Sequence, residues 1–334
     1  MDVKQSIAAN APELLTVSPS PHARRKVTTA SVMKDVLIAL LPATVWGIYV
    51  FGVRAALVVL LCVASSVLFE LLTQLVLRRP VTVSDCSAAV TGLLLGLNLS
   101  PAVPLYVPVV GAAFAIIVVK QLFGGIGKNV MNPALAARVF LMMAWTGGMT
   151  VFPAAYDRVP LGADAVASAT PLIALKGGEM PEASLAEMFF GQIGGCIGEI
   201  SALMILIGGI YLLVRRVITW HIPVAFLATV AVLTFLFPQG DIPRLTFMLY
   251  SLCGGGVLLG AFFMATDYVT SPVTSGGRLV FGVGCGVLVV FLRYFSGYNE
   301  GVSFAILIMN ALVWYFDMWF RPRVYGKKRR EKKA

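Results

Sequence analysis

The chain has 334 residues, of which 58% are hydrophobic and only 13% are charged, and its mean hydropathy is +0.87. Soluble domains carry about 25% charged residues, so this composition excludes an ordinary soluble protein and indicates a polytopic membrane protein. The net charge of +10 does not indicate nucleic acid binding, because the lysines and arginines lie in short clusters at the ends of apolar segments, as the positive-inside rule predicts.

The apolar segments predict an all-α protein with about ten transmembrane helices. A helix needs about 20 apolar residues to cross a bilayer. We expect a cytoplasmic arm at residues 1–30, a transmembrane domain at 31–320 and a basic cytoplasmic tail at 321–334. The predicted spans lie at residues 36–53, 55–77, 83–99, 105–122, 133–146, 187–214, 219–237, 245–265, 279–295 and 302–320.

The third predicted span, residues 83–99, is unusually polar for a membrane helix. It contains Ser84, Asp85, Ser87, Thr91 and Asn98 among apolar residues and two glycines. Small residues let helices approach closely, and polar side chains need partners inside a bundle. We therefore expect this helix to lie at the centre of the bundle and not against lipid.

Ten spans place both termini on one side of the membrane, and the basic residues identify that side. The arm and the tail share it with the loops that carry Arg78, Arg79, Lys128, Arg215, Arg216 and Arg278. A basic excess marks the cytoplasmic side. Both termini are predicted to be cytoplasmic, in the inner membrane of a bacterium or archaeon, and the long loop at residues 150–186 faces outward.

Residues 84–148 and 251–318 predict an internal repeat. The shared features, in the same order, are Cys86 with Cys253, Leu-Leu-Gly at 94–96 and 258–260, Ser-Pro at 100–101 and 271–272, and Asn129 with Asn299. The third and eighth spans cross in opposite directions, so the repeat would be inverted. Inverted repeats place a binding site near the middle of the membrane, where glycine-rich helices break.

Motifs of soluble redox enzymes and metalloenzymes are missing from the sequence. It has no GxGxxG following a strand, no P-loop, no HExxH and no CxxC, and only two histidines. The five cysteines are interpreted as buried thiols. We therefore predict neither a metal site nor a catalytic residue, and any electron carrier would be organic or supplied by a partner.

Three stretches carry a resemblance to a known family. Residues 164–172, DAVASATPL, resemble the flavinylation motif in the D subunit of the Rnf ion-translocating oxidoreductase complex. The B subunit of the sodium-pumping NADH–quinone reductase has a similar motif. GKNVMNPALAARVFL at 127–141 and TDYVTSPVT at 266–274 resemble two further stretches of the same family. The resemblance runs from about residue 24 to residue 320 and implies a urea-channel-like architecture.

The resemblance implies a covalent FMN on Thr170. In that family a flavin transferase joins the FMN phosphate to the last threonine of the motif as a phosphoester. A threonine hydroxyl is a poor nucleophile without an activating group, and the transferase must reach it. We expect Asp164 to anchor the loop or a metal of the transferase, and small Ser168 and Ala169 to leave Thr170 exposed. The sequence departs from the family pattern at Ala167, where Ser or Thr is frequent, and at Ser168, where Gly is frequent.

A second, non-covalent flavin, riboflavin, is also implied by the resemblance, nearer to the cytoplasmic side. We assign Asn129, Asn132 and Asp267 to it, because amides can hydrogen-bond the edge of an isoalloxazine ring and both loops fall on the inner side. The alternative is that these polar groups cap helices and satisfy broken helix ends.

Three acidic residues are candidates for an ion path: Asp85, Glu70 and Glu199. An ionisable residue inside a membrane is a functional hypothesis by default. Glu70 and Glu199 could equally pair with a basic residue or reach towards the interface. Asp85, in the polar third span, is the first candidate of the three.

The resemblance implies a membrane flavoprotein that belongs to an Rnf-type complex, which couples electron transfer between ferredoxin and NAD to Na⁺ or H⁺ translocation. The chain would not be catalytic alone. The implied partners are other Rnf membrane subunits, an FMN-bearing protein on the outer face, iron–sulfur and NAD-binding cytoplasmic subunits, the flavin transferase and membrane lipid. One alternative is the B subunit of the quinone reductase, which usually has a longer N-terminal region. Another is a channel or transporter of the same fold without redox function.

Overall fold

The computed structural model describes residues 28–157, 170–297 and 300–321, and all regular secondary structure in these ranges is helical. The all-α prediction is confirmed. The helices are α1 (Thr29–Phe51), α2 (Val53–Val76), α3 (Ser87–Leu97), α4 (Tyr106–Gln121), α5 (Pro133–Ala144), α6 (Pro171–Lys176), α7 (Leu185–Phe190), α8 (Ala202–Val214), α9 (His221–Leu236), α10 (Arg244–Cys253), α11 (Val257–Met264), α12 (Ser275–Phe295) and α13 (Val302–Trp319), with single turns at Val83–Asp85 and Thr146–Met149.

Ten apolar helical segments occur in the described chain, where ten spans were predicted. Four of them, α1, α2, α12 and α13, are individually long and apolar enough to cross a bilayer, and α10 with α11 forms a span bent by 61°. The other five, α3, α4, α5, α8 and α9, are apolar but shorter. This arrangement is that of a polytopic membrane protein in which several apolar helices are shorter than a full span.

Two predicted spans are not continuous helices. The sixth was predicted over residues 187–214, but α7 ends at Phe190 and α8 begins only at Ala202. Gly191 ends α7 with φ of +90°, a backbone conformation that glycine adopts without steric cost. The eighth is broken between α10 and α11, where Gly255 and Gly256 have φ of +63° and +67°. Glycine-rich sequence here marks breaks and not helix.

The third predicted span is also shorter than expected. Only its second part, α3, is an α-helix, and 11 residues rise about 16 Å, half of a hydrocarbon core. The preceding residues form a separate turn, because Cys86 adopts the left-handed conformation with φ of +62°. The predicted central position is confirmed: only Ala89 of α3 is not fully buried. Gly92 allows this, since a Cβ there would lie 2.6 Å from the carbonyl oxygen of Cys62 on α2.

The helices pair in the same pattern in two halves of the chain. In the first half α2 packs on α3 and α4, and in the second half α9 packs on α10 and α12. The equivalent helices α1 and α8 contact each other, as do α5 and α13. This matching pattern of helix contacts is the one that an internal repeat would produce, and the inverted orientation of the repeat stays a prediction. The match of Asn129 with Asn299 includes a residue outside the described ranges.

All five cysteines are free thiols. Cys62, Cys196 and Cys285 are buried, as interpreted from the sequence, whereas Cys86 and Cys253 are half-buried. Residues 1–27 and 322–334, which make up most of the predicted arm and tail, lie outside the described chain. The orientation of the termini therefore stays a prediction.

Candidate functional site

A cavity of about 630 Å³ lies between helices of both halves, on the predicted cytoplasmic side. Asn129, Asn132 and Asp267, which were assigned to one ligand from the sequence, all line this interhelical cavity. Its walls are mostly apolar and include Phe262 and Phe263 of α11. Apolar pockets of roughly 300–1,000 Å³ with a few polar groups are typical binding sites for molecules of drug size.

The three assigned side chains are not equally free to bind a ligand. The Asn132 side-chain oxygen caps α5 by accepting from the backbone N–H of Ala134 at 3.1 Å, and its amide nitrogen donates to the Met264 carbonyl at 3.3 Å. The capping alternative therefore holds for Asn132. Asp267 accepts from the Thr270 hydroxyl at 3.2 Å, and burial raises the pKa of its carboxyl. The Asn129 side-chain oxygen is buried with no hydrogen-bond partner.

A buried lysine that the sequence reasoning missed also lines the interhelical cavity. Lys120 on α4 is 2% exposed, and its ammonium lies 2.7 Å from Glu70 Oε1 and 2.6 Å from Ser87 Oγ. The Ser87 hydroxyl in turn donates to Asp85 at 2.6 Å, and Gln121 donates to Glu70 Oε1 at 2.9 Å. A charged residue within an apolar span was the signal that could have identified Lys120.

Two of the three acidic residues predicted for an ion path make hydrogen bonds or ion pairs close to Lys120. Glu70 pairs with Lys120, and Asp85 also accepts from the backbone N–H of Ser87 at 2.8 Å and so caps the start of α3. The structure therefore brings Glu70 and Asp85 into one hydrogen-bonded chain. Glu199 lies apart from this chain, in a second charged cluster. The role of all three in ion movement stays a prediction.

Thr170 lies at the start of α6, and its hydroxyl does not cap that helix. The expectation of an exposed side chain is wrong, since Thr170 is only 8% exposed. The physical reason is that α6 buries Leu172 and Leu175 in the core, against α10, which draws the start of the helix inward. Asp164, Ser168 and Ala169 lie outside the described residues, so their arrangement around Thr170 stays a prediction.

A buried ion-pair network lies next to Thr170, and we call it the Arg138 cluster: Arg138, Glu199, Glu300, Asn98 and Cys196. The Arg138 guanidinium donates to Glu199 Oε1 at 2.9 Å, to Asn98 Oδ1 at 2.7 Å and to Glu300 Oε2. It also lies 3.5 Å from the Cys196 sulfur. Cys196, Glu199 and Glu300 place three possible metal-ligand atoms within 4.8 Å of one another, and the Arg138 guanidinium already donates to both carboxylates.

Thr170, Glu199 and Glu300 line one small cavity of about 20 Å³. Arg293, near the end of α12, lies beside them and donates to the carbonyls of Ser251 and Gly254 at 2.7 and 2.8 Å. It thereby satisfies backbone groups at the break that follows α10. Glu300 and Arg293 were missed from the sequence. Arg293 lies within the ninth predicted span, so its charge in an apolar segment could have identified it, as for Lys120. Glu300, in the short connection after α12, gave no such local pattern.

Comparison with known families accounts for almost the whole chain. The sequence profile of the NQR2, RnfD, RnfE family matches residues 16–326. The chain belongs to this family. The family recognition from three short stretches is thus confirmed, and the match to the NQR2, RnfD, RnfE family covers every helix around the interhelical cavity and the Arg138 cluster.

Several members of the NQR2, RnfD, RnfE family with assigned names are similar to this chain over nearly their full length. The D subunit of the Na⁺-translocating ferredoxin:NAD⁺ oxidoreductase complex of Acetobacterium woodii is 48% identical over 325 residues, covering 96% of this chain and 98% of that protein. The proton-translocating counterpart of Clostridium ljungdahlii is 37% identical, covering 95% and 97%. The D subunit of the ion-translocating oxidoreductase complex of Stutzerimonas stutzeri is 41% identical, covering 90% and 93%.

Proposed function

We propose that this protein is the D subunit of an Rnf-type complex, in which electron transfer between ferredoxin and NAD drives ion movement across the membrane. The observation that carries this proposal is the 48% identity to a component of such a complex over 96% of the chain. One relative is named as Na⁺-translocating and another as proton-translocating. The coupling ion of this protein is therefore either Na⁺ or H⁺.

The protein contributes a membrane-embedded part of this machine and not the whole reaction. Its sequence contains no nucleotide-binding glycine motif and no cysteine spacing for an iron–sulfur cluster. Partner subunits must supply the NAD site and the iron–sulfur clusters on the cytoplasmic side. We also expect other membrane subunits and an FMN-bearing protein on the outer face.

We further propose that Thr170 carries FMN as a phosphoester, which would supply an electron carrier on the outer side. The motif at residues 164–172 supports this proposal, as does a hydroxyl that does not cap α6. The small cavity beside Thr170 cannot hold an isoalloxazine ring, so the ring would lie outside it. Because Thr170 is buried, we infer that the flavin transferase acts before α6 packs against α10.

Fluorescence of the denatured protein tests the covalent flavin. The chain is coexpressed with its flavin transferase, separated by denaturing gel electrophoresis and illuminated before staining. We expect a fluorescent band that is lost in Thr170→Val and retained in the control Thr150→Val, a threonine at the exposed start of the same loop. A wild-type band without fluorescence would overturn the covalent flavin and favour a channel or transporter without redox function.

We also propose that riboflavin occupies the interhelical cavity. The volume of about 630 Å³ and the apolar walls suit a flat aromatic ring. The unpartnered oxygen of Asn129 is an acceptor for a ring N–H, and a buried acceptor without a partner is costly. Asn132 would position the cavity wall by capping α5 and bonding Met264, and Asp267 would contribute at the rim.

A further inference from the structure

The Lys120 ammonium is held between oxygen atoms of two other helices, and we call Lys120, Glu70 and Ser87 the ammonium site. The ammonium lies 2.7 Å from Glu70 Oε1 on α2 and 2.6 Å from Ser87 Oγ on α3. All three residues are buried. Gln121 also donates to Glu70 Oε1, at 2.9 Å. A carboxylate and a hydroxyl thus surround one positive charge, which α4 supplies, in a place with very little water.

Two further oxygen atoms on α2 have no partner. Glu70 Oε2 belongs to the carboxylate that holds the ammonium, and it is buried without a hydrogen bond. The buried Ser66 hydroxyl also lacks a partner. Ser66 lies four residues before Glu70, and residues four apart are neighbours on one face of a helix. Because a buried oxygen without a partner is costly, this face of α2 offers more oxygen atoms than the ammonium uses.

The charges around the ammonium site require a cation there. Asp85 accepts from the Ser87 hydroxyl at 2.6 Å and is half-buried, so the contacts continue from the site towards the surface. The nearby Arg79 donates to the Gln121 carbonyl at 2.9 Å. Without the ammonium, the Glu70 carboxylate would be buried and unpaired, and electrostatic interactions are strong where water is scarce. A small monovalent cation would restore the charge that the ammonium supplies.

We propose that the ammonium site is a Na⁺ site in which the Lys120 ammonium takes the place of the ion. Na⁺ binds to the Glu70 carboxylate and the Ser87 hydroxyl when the ammonium withdraws, because oxygen atoms are the ligands that hard cations prefer. The lysine stem is flexible, and Lys120 lines the interhelical cavity, so its side chain can move without unfolding α4. Lys120 closes the site again when the ion leaves. The role of this site in ion movement rests on the proposed function in an Rnf-type complex.

Thermal unfolding of the full chain in a neutral detergent tests the Na⁺ site, with choline chloride keeping the ionic strength constant. Raising Na⁺ from about 1 mM to about 100 mM should raise the melting temperature of Lys120→Met by about 2–4 °C, because an ion that binds only the folded chain stabilises it. The wild type, whose ammonium occupies the site, should not respond. Neither should the double variant Lys120→Met, Glu70→Gln, which lacks the carboxylate, nor the control Lys128→Met, at an exposed lysine.

A folded Lys120→Met chain without a Na⁺ response overturns the Na⁺ site, and so does an equal response in the wild type or the double variant. If Lys120→Met does not fold, Lys120→Gln replaces it, since its amide is also a hydrogen-bond donor. Should both variants stay unfolded at the highest Na⁺ concentration, Na⁺ does not replace the ammonium and the site is overturned. Copurification with other Rnf membrane subunits tests the proposed function separately: its failure overturns that function and leaves the measured Na⁺ binding as it is.

Discussion

The ion pair between Lys120 and Glu70 allows a prediction about stability. Both side chains are almost completely buried, at 2% and 1% exposed, with 2.7 Å between Nζ and Oε1. Lys120→Met leaves a carboxylate buried without its cation, and breaking a buried pair in this way costs about 3–5 kcal/mol. Gln121 still donates one hydrogen bond to Glu70, so we expect a loss near the lower limit, about 3 kcal/mol.

The free energy of unfolding, measured by SDS titration in mixed micelles, provides the assay. The double variant Lys120→Met, Glu70→Gln removes both charges, and we expect it to regain most of the lost stability because no unpaired charge remains. The control Lys128→Met, at an exposed lysine in the next loop, should change stability by less than about 0.5 kcal/mol. Equal effects of Lys120→Met and Lys128→Met, or additive losses in the double variant, would refute the reasoning.

Three further outcomes are expected. Asn129→Ala should lower the non-covalent flavin extracted by acid about fivefold, since one hydrogen bond contributes about 1 kcal/mol, and unchanged flavin content would remove Asn129 from the site. Asn132→Ala should instead lower the free energy of unfolding by about 0.5–2 kcal/mol through loss of the α5 cap. If its melting temperature falls no further than that of Asn129→Ala, Asn132 does not stabilise α5 as a cap. Gly256→Ala should impair folding, because φ is +67° and a Cβ would lie 2.4 Å from Glu199 Oε1. The control Gly297→Ala has open space and should yield wild-type amounts of folded protein; equal yields would contradict the close contact.

The positions of the apolar segments follow from the sequence because hydropathy is a local property. Each of the ten predicted spans contains an apolar helix, and α9, α12 and α13 begin and end within about four residues of the prediction. The family was also recognisable, because its three motifs are short and contiguous. The central position of α3 could be predicted because its polar and small residues suit protein contacts better than lipid.

Glycine-rich stretches show where local reasoning stops. Gly208 lies inside α8, where a Cβ would meet the Ala39 carbonyl oxygen at 2.0 Å, so this glycine allows two helices to pack closely. Gly255 and Gly256, in a similar sequence, break a span instead. The same residue serves both purposes, and only the packing around it decides between a helix contact and a break.

The sequence by itself therefore determined the membrane class and the order of the segments, and the family resemblance pointed to three residues that line one cavity. The tertiary structure alone decided which charges pair. Arg138 and Glu300 are 162 positions apart, and Lys120 lies 50 positions from Glu70, so no local pattern links them. It also decided that Thr170 is buried, because that depends on where α6 packs. A buried charge needs a partner at hydrogen-bond distance, and that distance exists only once the helices of both halves have come together.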